Sequence, residues 1–294
     1  MTPLALVELP RLMALTGGSG EVIIGLIDGP VAIDHPGLAG QNIRALPGKL
    51  RGTCTRAGST ACTHGTFVAG ILCARRDSAA PAICPGCTLL VRSIFSEAGA
   101  VNQPLPSATP GELGEAIIEC INAGARLINM SVALALPSSA SERALEAALD
   151  HAARRGVLVV AAAGNQGTVG STPITRHPWV IPVAACDRHG RPLTQSNLGN
   201  SIGRQGLSAP GDDVVSLGSD GRTLSAGGTS TAAPFVTGAL ALLWSAFPAA
   251  TAVQLKLAVM QGAGRRRGTV VPPLLNAWAG YQLLSGVGLR RRAS

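Results

Sequence analysis

Ala226-Gly-Gly-Thr-Ser-Thr-Ala-Ala-Pro-Phe-Val-Thr-Gly-Ala-Leu-Ala-Leu-Leu-Trp244 is the stretch on which the reading of this 294-residue chain turns. A glycine-rich turn delivers Ser230, and an apolar run of helical character follows at once. Proline is tolerated in a helix mainly in the first turn, where its missing N–H would have had no partner. Pro234 therefore predicts a helix N-terminus close to Ser230, with a buried body from Val236 to Trp244. Backbone N–H groups at such an end point outward and favour negative charge. A serine held there suits a reaction that builds an oxyanion. A lone Gly-Thr-Ser is more often a cap or a turn, so the case rests on what the remaining chain brings to Ser230.

Upstream, Val22-Ile-Ile-Gly-Leu-Ile27 is a continuous apolar run of strand length, as a central parallel strand requires, and it ends in Asp28-Gly29-Pro30. Carboxylates at the carboxyl ends of such strands lie where open α/β sheets place their sites. Gly18-Ser19-Gly20 precedes the strand, so a dinucleotide loop is excluded by order. Thr63-His64-Gly65-Thr66-Phe67-Val68 opens a second helix with His64 near its start. A strand over 88–94, a Pro-rich loop over 102–110, an amphipathic helix from Glu112 to Ala123 stopped by Gly124, and a strand Arg126–Ser131 come next. Ser139-Ala-Ser-Glu142 reads as a capping box for a helix running to Arg155 and stopped by Gly156. Val157–Ala163 is a buried strand closing on Gly164-Asn165, and Val180–Ala185 and Leu207–Ala209 extend the core. A helix over 247–262 follows, and the last thirty residues are expected to pack loosely or fray. The alternation predicts an α/β fold, a doubly wound and mostly parallel sheet with helices on both faces. With no internal repeat or linker, residues 1–294 read as one domain, its core at about 20–262 and its tail basic.

Composition narrows the function. No run reaches the ~18 apolar residues a membrane span needs. The amino terminus, with Glu8, Pro10 and Arg11, lacks the basic start and apolar block of a secretory signal. The expectation is a cytoplasmic protein without a membrane or nucleic-acid partner. Net charge is +8, but much of it sits in Arg265–Arg267 and Arg290–Arg292, which read as a solvated loop and tail because no aromatics interleave them. Seven cysteines, an odd count, argue against a secreted disulfide framework. Cys84-Pro-Gly-Cys87 has no second pair to complete a zinc site. A local disulfide such as Cys54 with Cys62 stays open, and Cys73 and Cys120 read as core residues.

Asp28, His64 and Ser230 thus appear in that order, each at an element boundary, with Asn165 ending another strand. Acyl transfer needs a nucleophile, a base for its proton, a carboxylate to orient the base and donors for the oxyanion. The order Asp, His, Ser is that of the subtilisin-type triad. Val22–Gly29, His64-Gly-Thr-Phe-Val-Ala-Gly70, Ala162-Ala-Gly-Asn165 and Gly228-Thr-Ser-Thr-Ala-Ala-Pro234 resemble the four signature blocks of the subtilisin-like (subtilase) serine peptidases, over about residues 20–250. The resemblance implies Ser230 as nucleophile, His64 as general base and acid, Asp28 as its orienting partner, and Asn165 as oxyanion donor beside the Ser230 N–H. It also implies that Ser131, Val132 and Ala133 pair with substrate backbone. The segment Ala161–Gly164, with Ala162 and Gly164, would wall the first specificity pocket opposite them. Ala133 stands where the family often has Gly, which makes that pocket shallower, and Phe235 replaces a frequent His outside the triad.

A narrower resemblance is carried by Leu26-Ile-Asp-Gly-Pro-Val-Ala-Ile-Asp-His-Pro36, the cysteine-containing segment before His64, and Ser93-Ile-Phe-Ser96. These are similar to the proteases that mature cyanobactin-like ribosomal peptides, some of which trim a precursor while others macrocyclise it. The cyclising type carries a helical insert between its Asp and His motifs. Only 35 residues separate Asp28 from His64, so hydrolysis is expected over ligation. The resemblance thus implies a peptide or precursor-protein substrate; an inactive peptide-binding relative would lack a triad residue, and none is missing. Calcium loops of secreted relatives are not recognisable, and no cofactor or metal is expected. Met1 lies almost against the first core strand, so either the domain folds without a pro-segment or it is excised from a longer chain.

Overall fold

The structure is a computed structural model describing residues 1–56, 58–97, 108–132, 139–264 and 269–286. Its helices are α1 (Pro3–Leu6), α2 (Leu9–Leu15), α3 (Thr60–Cys73), α4 (Pro110–Asn122), α5 (Ser139–Arg155), α6 (Pro173–Arg176), α7 (Asn200–Gln205), α8 (Thr229–Ala246), α9 (Ala252–Gly262) and α10 (Ala277–Gly286). Its strands are β1 (Ile23–Asp28), β2 (Ile43–Ala45), β3 (Thr88–Ser93), β4 (Leu127–Met130), β5 (Leu158–Ala162), β6 (Val180–Cys186), β7 (Leu207–Pro210), β8 (Val214–Leu217) and β9 (Thr223–Ala226).

Seven strands form one parallel sheet in the order β2-β3-β1-β4-β5-β6-β7, and β8 and β9 form a separate antiparallel hairpin. The chain leaves β1 for one side of the sheet and returns to its other side with β4. The carboxyl end of β1 therefore lies at the topological switch point, where such sheets open a crevice. Asp28 is its last residue.

Alternation along the strands builds two cores. Ile24, Leu26, Leu127, Leu158 and Val160 face a layer made by α2, α3, α8 and α9, whereas Ile27, Ile128, Met130, Val159 and Ala161 face α4 and α5. Period-two alternation between two apolar layers is why these strands read as unbroken apolar runs. Helix α8 is buried along nearly its whole length and packs on β4 to β7 and on α3. Small residues permit the close approaches. A Cβ at Gly25 would lie 2.9 Å from the Cys120 Cβ on α4, and one at Gly238 would lie 2.6 Å from the Ile83 side chain.

Several expectations are corrected. Helix α3 begins at Thr60 behind a Ser59 cap, so His64 occupies its second turn. The C-terminal residues do not simply fray: α10 packs on α9 and α2, the Ala277 N–H donates to the Val7 carbonyl, and Trp278 stacks on Tyr281 under the Arg11 guanidinium. A half-buried pair of stacked rings near the C-terminus, covered by an arginine from the N-terminal helices, was invisible to a local reading. Of the open cysteine pairings, Cys54–Cys62 is formed. The two arginine clusters, most of the Pro-rich loop and the side chain of Ser139 in the proposed capping box lie outside the described residues. No described helix is long and apolar enough to cross a membrane.

One contact fixes the site's frame. A Cβ at Gly65 would lie 2.4 Å from the carbonyl oxygens of both Gly29 and Pro30. Alanine normally improves a helix interior by about 1 kcal/mol over glycine. Here overpacking against rigid backbone should reverse the sign, so Gly65→Ala is expected to lose about 1–3 kcal/mol in urea unfolding. An unchanged or raised midpoint would show that α3 is not seated on the end of β1.

Candidate active site

Asp28 is fully buried, and its Oδ1 accepts from the Gly29 N–H and from His64 Nδ1, each at 2.6 Å. A carboxylate at Nδ1 keeps the ring proton on that nitrogen and leaves Nε2 as the acceptor. The His64 side chain is about one-fifth exposed. Burial disfavours its charged form, but the charge and hydrogen bond of Asp28 outweigh this and hold the imidazole above its ordinary range.

Ser230 is the second residue of α8 and lines an open cleft of about 490 Å³ with His64, Phe67, Leu224 and Thr231. Among the described residues no hydrogen bond joins His64 to Ser230, and in unliganded sites this contact commonly tightens only with substrate. The helix is capped by Gly228, whose φ of 111° and a Cβ position 3.0 Å from Asn165 Nδ2 exclude other residues without strain. The Ser230 N–H, one of the unpaired donors of a helix start, has no partner among the described residues.

The Asn165 amide is oriented by Thr229. The Thr229 N–H and hydroxyl both donate to Asn165 Oδ1, at 2.8 and 3.1 Å, and the Gly164 N–H donates to the Thr229 hydroxyl. The amide oxygen is thereby consumed, and Nδ2 is left without a partner among the described residues. Gly164 itself sits at φ 105°, where an added Cβ would meet Asn197 Nδ2 at 2.4 Å. Ala162 is half-buried beside it, whereas Val132 and Ser131 are buried at the end of β4, and Ala133 lies outside the described residues.

Pro234 is not in the first turn of α8, as the sequence suggested, but in its second. Its missing N–H is the one that would have bonded the carbonyl of Ser230, four residues back. The Ser131 hydroxyl fills the gap by donating to the Ser230 carbonyl at 3.1 Å. Asn129 Nδ2 donates to that hydroxyl at 3.0 Å, and the Thr237 hydroxyl donates to Asn129 Oδ1 at 2.8 Å. Asn129 and Thr237 were missed by sequence reading, although an Asn inside Leu127–Met130 and a Thr inside an apolar helix were signals of a buried polar pair.

Of the His, Cys, Asp and Glu groupings among the described residues, the one with ligand atoms close enough for a metal is Cys54, Cys62 and Glu97. Its two sulfurs are already bonded to each other, so the donor set does not fit an ion.

Removing the Ser131 hydroxyl should orphan a buried carbonyl, at a cost of about 1–3 kcal/mol. Pro234→Ala restores an N–H for that carbonyl, so it should stabilise a Ser131→Ala background more than it does the wild type. A double-mutant cycle in urea reads the coupling. Additive effects would show that the proline and the serine hydroxyl do not serve the same carbonyl.

The chain matches the subtilase family over residues 19–281. It is 33% identical over 201 residues to a thermostable alkaline protease of Halalkalibacterium halodurans, covering 68% of this chain and 52% of that protein. It is 31% identical over 265 residues to the thermophilic serine proteinase of Bacillus sp. (strain AK1), covering 87% and 59%. The chain therefore spans somewhat more than half the length of these relatives. Among solved structures it is similar to a mutant of the protease domain of PatA, with TM-score 0.82 and 30% identity over 92% of this chain and 98% of that one. It is equally similar to the prenylagaramide maturation protease PagA, with TM-score 0.82 and 29% identity over 95% and 98%. With a family match spanning almost all of the described residues, this chain belongs to the subtilase family.

Proposed function

We propose that the chain is a serine endopeptidase that hydrolyses peptide bonds through an acyl-enzyme, and that its substrate is a ribosomally made precursor peptide. The observation that carries the reading is the Asp28–His64 contact at 2.6 Å, set beside Ser230 in one cleft at the head of a buried helix. Ser230 Oγ attacks the carbonyl carbon while His64 Nε2 takes its proton. The oxyanion is received by the Ser230 N–H and Asn165 Nδ2, neither of which has a partner among the described residues. Collapse breaks the C–N bond, and His64 returns the proton to the leaving amine. Water then adds to the ester by the same route, releasing acid and free Ser230.

Substrate class is supported by likeness to structures named as the prenylagaramide and patellamide maturation proteases. Hydrolysis is favoured over macrocyclisation by the segment joining Asp28 to His64. Apart from the first turns of α3, its described residues hold a three-residue 3-10 turn and the short strand β2, with no helical insert over the cleft. The partner is then a peptide, with no nucleic acid or membrane required, and the cytoplasm is where such a precursor is first met.

A fluorophosphonate probe is expected to label the wild type and not Ser230→Ala; labelling that survives the substitution overturns the nucleophile. Asn165→Ala is expected to slow acylation about 10²–10³-fold while leaving peptide affinity nearly unchanged. Acylation should rise with pH, because neutral His64 is the competent base, and its midpoint should lie above the ordinary imidazole value of about 6.5. A midpoint at or below that value would mean that Asp28 does not govern the ring. Product masses equal to substrate plus water, with no cyclic product, separate hydrolysis from ligation.

A further inference from the structure

A second cleft, of about 530 Å³, opens just beyond the carboxyl ends of β1 and β3. Its floor is apolar: Pro30, two residues beyond Asp28, with Leu50 and Phe95. Its rim is basic, formed by Lys49, Arg51 and Arg56. The one carboxylate in the lining, Glu97, is turned to the chain. It accepts from the Thr55 N–H at 2.8 Å, the Thr55 hydroxyl at 2.6 Å, the Arg56 N–H at 3.1 Å and the Ser59 hydroxyl at 3.1 Å. Those bonds more than offset its burial and hold the carboxyl below the usual range, so Glu97 works as a loop anchor.

The rim cations are differently placed. Lys49 reaches Glu115 at 3.5 Å, with both side chains well exposed, a pairing that holds Lys49 only weakly. The Arg56 guanidinium donates to the Glu97 carbonyl. Arg51 is exposed and has no partner among the described residues. A planar fork on the rim of an apolar trough matches a side chain with a short apolar stem and a terminal carboxylate.

We propose that this cleft is an acidic-residue subsite, in which Arg51, supported by Lys49, selects substrate peptides carrying glutamate or aspartate within a few residues of the cut bond. The proposal rests on the peptidase reading for its place in the reaction, but its binding chemistry can be tested without turnover. The segment 55–63 ties the two clefts together. Thr55 and Arg56 line the basic one, and Thr60, Thr63 and His64 line the one holding Ser230. One extended peptide can therefore occupy both. The contribution is specificity, because a rim charge discriminates among partners more than it adds affinity.

The test uses a library of capped octapeptides in which each position in turn is fixed as Glu, Gln or Lys. Immobilised Ser230→Ala protein should retain Glu peptides over their Gln counterparts by about fivefold at one position, the upper range for an exposed ion pair. The ratio should fall towards one at high salt. Arg51→Gln should abolish the preference, Arg51→Glu should invert it in favour of Lys, and Arg51→Lys should restore most of it. Circular dichroism and melting curves matching wild type show that each variant is folded. Sequencing the cuts made by proteins with Ser230 intact should reveal the same position and the same order of preference. If Glu and Gln peptides are retained alike, if neither is retained, or if Arg51→Glu keeps the glutamate preference, the subsite does not exist. If retention follows the expected pattern but no peptide is cut, the subsite stands and the peptidase reading falls.

Discussion

A proline in the second turn of the central helix leaves the carbonyl of the preceding serine turn unpaired inside the protein, and the site is built on how that carbonyl is satisfied. The missing N–H of Pro234 opens the gap, and Ser131 closes it from the end of β4. Ser131 is in turn held by Asn129, whose amide oxygen takes the hydroxyl of Thr237, two turns beyond Ser230 along α8. The bonds form a closed circuit between helix and strand. Helix α8 cannot slide or rotate over β4 without orphaning a buried polar group, which costs about as much as a typical destabilising mutation. The register that puts Ser230 at the crevice is thus fixed by hydrogen bonds that never touch its hydroxyl.

The partner group is positioned by sterics and charge together. Gly29 and Gly65 let α3 approach the end of β1 until backbone meets backbone, since a Cβ at Gly29 would lie 2.0 Å from the Ala61 carbonyl oxygen. At that separation the imidazole on the second turn of α3 reaches the carboxylate that ends β1. The Cys54–Cys62 bridge and the four hydrogen bonds to Glu97 secure the segment entering α3. Asp28 keeps the ring in the tautomer that presents Nε2 as an acceptor and stabilises the cation formed when it takes a proton. The sign of that electrostatic effect also sets a linkage. A ring whose pKa is raised by folding contributes stability that is complete at pH values below its unfolded pKa and is lost as pH rises through the folded value, so the neutral form, the one proposed to act as base, is the less stabilised one.

Much of this was legible because the decisive features are local. Buried parallel strands must be apolar on both faces, so Val22–Ile27 and Val157–Ala163 announced themselves, and the polar residues closing them, Asp28 and Asn165, stood out as departures. His64 beside Gly65 could be read in the same way. What escaped was whatever depends on two distant segments meeting. Pro234 was placed in the first turn because a proline further in should leave an unpaired carbonyl; it does, and a serine about a hundred residues away pairs with it. The partnership of Asn129 with Thr237, and of the chain's first helices with α10 through Arg11 and Trp278, has the same character. The Cys54–Cys62 bridge lay between these cases: the spacing allowed it, but composition spoke against disulfides in general.

An acyl-enzyme's fate depends on which nucleophile reaches the ester first, so the cover over the site decides between cutting and joining. Here the segment between Asp28 and His64 is committed elsewhere. Part of it pairs as β2 at the edge of the sheet, part is bridged by Cys54–Cys62, and Thr55, Arg56 and Ser59 are anchored to Glu97. The described residues of a segment tethered at these points form no lid, and they leave the cleft around Ser230 open. Water is present at about 55 M in an open cleft, and no amine of a bound peptide approaches that concentration unless the protein orders it against the ester. The proposed hydrolysis is then favoured by the same hydrogen bonds that orient His64, because the described strap that seats the imidazole forms no cover over Ser230.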